Sequence, residues 1–322
     1  MLLIRDQLSR FFGVTITLLL CTCCGAASKN NNADSESNLK EPPRLVPMAE
    51  TEPDVKSPSA PQDRSTTNNA NSSHGTSCDL NAPLPDGIDA NLSAQKLHTL
   101  AQDRIIKKDG AAALPILKHA LEKSPKDAKI LGDMGTALLQ CGLNNEAIKY
   151  VKKAVALEPD NISLAANLAQ TYQIAGRISD AVAAYRAAIK IAPNDPGLRN
   201  NLAVLLIIVK DLPGAEATVR KALEFDPTSI NYMVNLGYIL ARQERYQDAE
   251  IVLKRAIKLD PKSADAFNQL GLVYAAEGRQ MDASVNFKKA LDINPSHTGA
   301  RENINAVEEG FDFEGPWGKS KK

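Results

Sequence analysis

The chain has no charge excess, few histidines and one tryptophan. Lysine plus arginine number 38, and aspartate plus glutamate also number 38. Without a basic surplus there is no electrostatic case for a nucleic-acid partner. No glycine loop of the phosphate-binding kind, nucleophile motif or His/Cys metal spacing occurs. His98 and His119 stand within one stretch, but two histidines without a supporting carboxylate motif do not make a metal site. No catalytic residues, cofactor or metal are therefore expected, and the chain is not read as an enzyme. The longest apolar run near the start, Phe11 to Leu20, is too short to span a bilayer comfortably.

What the chain does have is a fixed period. Pro125, Pro159, Pro193, Pro227, Pro261 and Pro295 stand 34 residues apart. Five residues before each is an alanine, from Ala120 to Ala290; twelve before is another, from Ala113 to Ala283. Twenty-four before are only alanine or glycine, and eight before are bulky groups such as Val151, Tyr185, Leu253 and Phe287. These steps of three, four and seven are helical. Each unit thus predicts two helices closed by a proline, which lacks an N–H and disfavours helix before it. Gly142, Gly176 and Gly278 suit the turn between them, where positive φ is needed. Asp195 before Pro196 reads as an N-cap with a first-turn proline. Pro115 should keep the second helix of the first unit from starting before about Ala111. Arg199, in a usually bulky slot, must lay its stem over its neighbours and keep its head in water.

This small–bulky–small pattern with a terminal proline resembles the tetratricopeptide repeat family. The resemblance implies an all-α, right-handed superhelical solenoid of six helix–turn–helix repeats (94–127, 128–161, 162–195, 196–229, 230–263, 264–297) and a C-terminal capping helix over 298–309. It also implies that first helices line a concave groove. Twenty-six before each proline runs a polar series that falls on that wall: Thr99, Asp133, Asn167, Asn201, Asn235 and Gln269, with Asn303 in register beyond. A carboxamide offers both a donor and an acceptor to a peptide backbone. The series is similar to the asparagine ladder of the repeat domain of protein O-linked N-acetylglucosamine transferases, which implies a peptide-binding role. The alternative is that the amides bridge adjacent helices. Ile174, Val204, Ile207, Ile208, Val234, Tyr238 and Leu272 add apolar character to the same wall, unless part of the set is core.

Around the repeats, residues 1–27 have the layout of an export signal: Arg5 and Arg10, the apolar run, then small residues. Leu20-Cys21-Thr22-Cys23 resembles the lipobox of bacterial lipoproteins, with Cys23 as the acylated residue and Cys24 before Gly25 as an alternative. Cys21 is a third candidate, and cleavage after Ala26 or Ala27 would instead release a soluble product. Residues 28–91 are polar and predicted to be a disordered linker of about 65 residues, with a reach near ~45 Å. Nothing in the sequence pairs Cys78 with Cys141, and Cys141 reads as a small packing residue. The tail 310–322, which holds Trp317, is expected to be flexible, to fold over the last helices, or to dock on another protein. The expected function is a protein- or peptide-binding scaffold at the bacterial envelope, lipid-anchored at the outer membrane and facing the periplasm, or else soluble. Its architecture is similar to pilotin-like lipoproteins of type IV pilus biogenesis. An adaptor for an envelope peptidase or cell-wall enzyme is the alternative.

Overall fold

The computed structural model describes residues 78–80, 82–314 and 318–321, with side chains to 310. The segment read as an export signal, with Cys21, Cys23 and Cys24, most of the linker, and Trp317 lie outside the described residues. The repeat region is an all-α solenoid. Its first unit pairs α1 (Ala94–Ile106) with α2 (Gly110–Lys123). Then follow α3 (Ala128–Gln140) with α4 (Asn144–Leu157), and α5 (Ile162–Ile174) with α6 (Ile178–Ile191). Next come α7 (Pro196–Ile208) with α8 (Leu212–Phe225), and α9 (Ile230–Arg242) with α10 (Tyr246–Leu259). The sixth unit is α11 (Ala264–Ala276) with α12 (Gln280–Ile293), and α13 (Thr298–Glu308) is the capping helix.

Local chemistry sets these bounds. Two residues after each proline stands a residue able to cap the next first helix. The side chains of Asp127, Asn161, Asp195, Ser263 and His297 all accept a bond from a first-turn N–H, and Ser229 does not. Asp195 caps and Pro196 opens α7, as expected. Helix α2 starts at Gly110 and carries Pro115 inside it, one residue earlier than the proline argument allowed. Asp109 accepts from Ala112 N–H at 3.1 Å and so fixes that start. The turn between helices is left-handed at Gly142, Gly176 and Gly278, with φ of 72°, 73° and 78°. The same slot is left-handed at Lys108, Lys210 and Glu244, where no glycine signals it.

The periodic alanines are the core. Those five and twelve before each proline are all fully buried, which lets paired helices approach closely. Where glycine replaces alanine on the first helix, the opposing side chain fills the notch. A Cβ on Gly271 would lie 2.5 Å from Phe287 Cε1, and one on Gly237 would lie 2.6 Å from Leu253 Cγ. Arg199 is expected to keep its head in water, but the protein engages that head. Its guanidinium lies 5.0 Å from the Phe225 ring centre and donates to Asp195 O.

Two expectations fail at the ends. The linker does not stay disordered up to residue 91. Leu80, Leu84, Ile88 and Leu92 pack against the core cluster that contains Leu97, Leu114 and Leu117. Cys78 forms a disulfide with Cys141, across 63 residues, so Cys141 is not simply a packing residue. At the other end the tail is not free. Strand β1 (Phe311–Glu314) pairs antiparallel with β2 (Gly318–Lys321), and β1 lies against α11 and α13.

Candidate functional site: the wall of first helices

At most junctions the first helices of successive units touch one another as well as their own second helices. They therefore form the inner row of the array, and the polar ladder sits on it. The ladder is not uniform. Each ladder residue faces the residue 35 positions earlier, on the preceding first helix, and that neighbour decides what it does.

Asp133 Oδ2 accepts from buried His98 Nε2 at 2.7 Å and from Gln102 Nε2 at 2.9 Å. Asn167 Nδ2 donates to Gly132 O at 3.4 Å. Asn235 Nδ2 donates to Asn200 Oδ1 at 2.7 Å, and Asn303 Nδ2 to Asn268 Oδ1 at 3.1 Å. These four members tie adjacent units together. They match the helix-bridging alternative. Asn200 and Asn303 are 2% and 1% exposed, so each bond satisfies a polar group that water cannot reach.

Asn201 and Gln269 differ. Ala166 and Val234 stand 35 positions before them, so neither finds that partner. The Gln269 Oε1 atom is buried with no hydrogen-bond partner among the described residues. Thr99, at the open end, donates only to Gln95 O of its own helix. The ladder thus divides into four structural ties and two amides left over.

The apolar set divides as well. Val204, Ile208, Val234 and Tyr238 are half-buried along α7 and α9, and Ile174 is 43% exposed. Ile207 and Leu272 are buried in the core cluster instead. Leu272 is therefore corrected from groove wall to core, because α11 turns that side chain toward its neighbours. The sequence did not single out Arg242. Its Nη1 donates to Tyr238 Oη at 2.9 Å, while its Nε is buried and has no partner among the described residues. Its place four residues after Tyr238, on the same face, was the available signal.

Away from the wall, ion networks link units through their second helices. Arg245 bridges Glu216 and Asp248, and Arg279 bridges Glu250, Glu277 and Asp282. Burial pushes the Tyr274 phenol up, aided by its hydrogen bond to Glu250. Burial also raises the Glu250 carboxyl, but Lys254, Tyr274 and Arg279 together outweigh it and hold the group below the usual value.

Comparison with known proteins agrees with this architecture. A family model described as tetratricopeptide repeat matches residues 105–172. Another, the middle TPR-like domain of cilia and flagella-associated protein 70, matches residues 164–292. No curated protein matches the chain in sequence. Among solved structures, Pseudomonas aeruginosa pilF is 15% identical, covers 65% of this chain and 95% of its own, and superposes with a TM-score of 0.54. MamA of Desulfovibrio magneticus RS-1 is 20% identical over 53% of this chain and 96% of its own, with a TM-score of 0.49. YrrB, a TPR protein with an unusual peptide-binding site, is 21% identical over 59% and 97%, with a TM-score of 0.47. At such identities the pilF likeness concerns the fold alone. The two family models together span residues 105–292, and with the repeat geometry beneath them they place the chain in the tetratricopeptide repeat family.

Proposed function

We propose that this chain is a non-enzymatic scaffold that holds a protein partner at the bacterial envelope, binding a segment of it on the wall of first helices. The fold is one that mediates protein–protein contact. The observation that carries the finer reading is the half-buried apolar strip of Val204, Ile208, Val234 and Tyr238, bordered by the two untied amides Asn201 and Gln269. A concave apolar strip with a few polar groups that lack internal partners is the ordinary chemistry of a peptide groove. The Cys78–Cys141 disulfide supports export, since such bonds persist in oxidising compartments. The lipobox-like Leu20–Cys23 segment supports a lipid anchor there.

The test is site-specific photocrosslinking in the native cell, with the probe at Val204 or Ile208 and, as a control, at outward-facing Lys152. A partner captured from the groove positions and not from the control supports the reading. Capture only from Lys152, or equally from all three, defeats it. Fatty-acid labelling that survives the Cys23→Ser/Cys24→Ser change, or is absent from the wild type, defeats the anchor at those positions.

A further inference from the structure

The groove's polar chemistry is one-sided, and this carries the groove reading one step further. Arg177, Arg245 and Arg279 each hold an aspartate three residues on. Arg242 meets no carboxylate among the described residues. It is half-buried, folded against the Tyr238 ring 5.7 Å from its centre, and bonded only to the Tyr238 hydroxyl. Its buried Nε lacks an acceptor. The carboxylate 35 residues on, Glu277, is already taken by Arg279 Nη1 at 3.2 Å. Gln102 meets Asp133, and Thr136 meets Asn167, 31 residues on. The same step carries Tyr238 to Gln269, whose buried Oε1 lacks a donor. By this register a guanidinium short of an anion stands one helical turn beyond the Tyr238 slot that faces an amide oxygen short of an N–H, beside an apolar strip.

We propose that the groove of units 4 to 6 selects a protein segment in which acidic and apolar side chains alternate. One carboxylate sits on the Arg242 guanidinium and a backbone N–H donates to Gln269 Oε1. A guanidinium takes a carboxylate through charge-assisted bonds. A basic segment would set like charge against Arg242, and an uncharged one would offer its guanidinium only the weaker, neutral acceptors. The chain itself contains such a segment: strand β1, of sequence Phe311-Asp312-Phe313-Glu314, lies against α11 and α13, farther along the same row. The proposal rests on the groove reading above and adds the chemistry of the occupant.

The experiment titrates the full chain, by fluorescence anisotropy, against labelled peptides of one apolar frame whose alternate positions are acidic, amide, basic or alanine. The acidic peptide is expected to bind about ten-fold or more tightly than its amide counterpart, and to weaken with salt. Arg242→Gln should erase that preference, Arg242→Lys should keep much of it, and Arg220→Gln on the outer face should leave it unchanged. Equal binding of acidic and amide peptides by the wild type overturns the proposal. So does an Arg242→Gln change that weakens both equally, as a purely structural role would. If Arg242→Gln fails to fold, the acid-to-amide ratio of the wild type and of Arg242→Lys still decides. Should amide or alanine peptides bind best, the acidic preference falls while the groove stands. If no peptide binds and crosslinks from Val204 are also absent, both fall.

Discussion

The Cys78–Cys141 bond should decide whether the first repeat is folded. The perturbation is the double change Cys78→Ser/Cys141→Ser, which avoids an odd thiol that could mispair. Closing a loop of 63 residues restricts the unfolded chain by about 4 kcal/mol at room temperature on the loop-entropy estimate. That loop contains all of unit 1 and the first helix of unit 2, so the loss falls there. The strap adds to it: Leu80, Leu84, Ile88 and Leu92 cover the end of the cluster around Leu97 and Leu114, and without the bond they are held only by apolar contact. In a repeat array each unit leans on its neighbours alone, so the damage should stay local. Hydrogen exchange is the assay. Amides of α1 and α2 should lose up to about three orders of magnitude in protection, one for each ~1.4 kcal/mol. Amides of α9 and α11 should hold theirs. A reductant added to the wild type should reproduce the pattern. Unchanged protection in α1 and α2 would refute the argument, and so would an equal loss along the whole array.

Other outcomes follow from the same contacts. Asn235→Ala leaves the Asn200 Oδ1 atom buried without its donor and should cost about 1–3 kcal/mol in urea unfolding. Asn201→Ala, which breaks no tie, should stay within about 0.5 kcal/mol. Gly271→Ala drives a methyl into Phe287; overpacking of about 1–3 kcal/mol should exceed the gain in helix propensity of about 1 kcal/mol. Its lowered melting temperature should recover in the Gly271→Ala/Phe287→Leu pair. Glu250 is held below its ordinary value of 4.5. Its contribution is therefore present above that value and lost as pH falls through the lower folded one. Urea midpoints measured at about pH 6 and about pH 3 should differ less for Glu250→Gln than for the wild type.

The prolines and small residues made the repeats legible because close helix packing tolerates little at those slots. First-helix starts at 94, 128, 162, 196, 230, 264 and 298 fall where the period puts them. The turns were only half visible. Glycine marks three of them, whereas Lys108, Lys210 and Glu244 adopt φ of 60°, 66° and 62° because the stacking of both flanking helices fixes the turn whatever residue fills it. The N-terminal strap was hidden by its polar composition, although Leu80, Leu84, Ile88 and Leu92 recur every four residues and could have been read as a buried strip. The disulfide was not legible, since the approach of Cys78 to the turn after α3 depends on how that strap packs.

The ladder shows most clearly what a period does and does not reveal. Its register is a property of the repeat, and the 34-residue ruler finds it. Its chemistry depends on a second slot, one residue earlier in the preceding unit, where the stagger of neighbouring first helices brings the partner. That slot holds His98, Gly132, Ala166, Asn200, Val234 and Asn268. Histidine and asparagine there engage the next ladder residue through a side chain, and glycine exposes its own carbonyl to it. Alanine and valine offer nothing polar, so Asn201 and Gln269 remain uncommitted. An amide bonded inside the stack has its directional capacity satisfied there, and one facing an apolar neighbour does not. A single apolar residue in the neighbouring helix thus separates the ladder members that tie units together from those that do not.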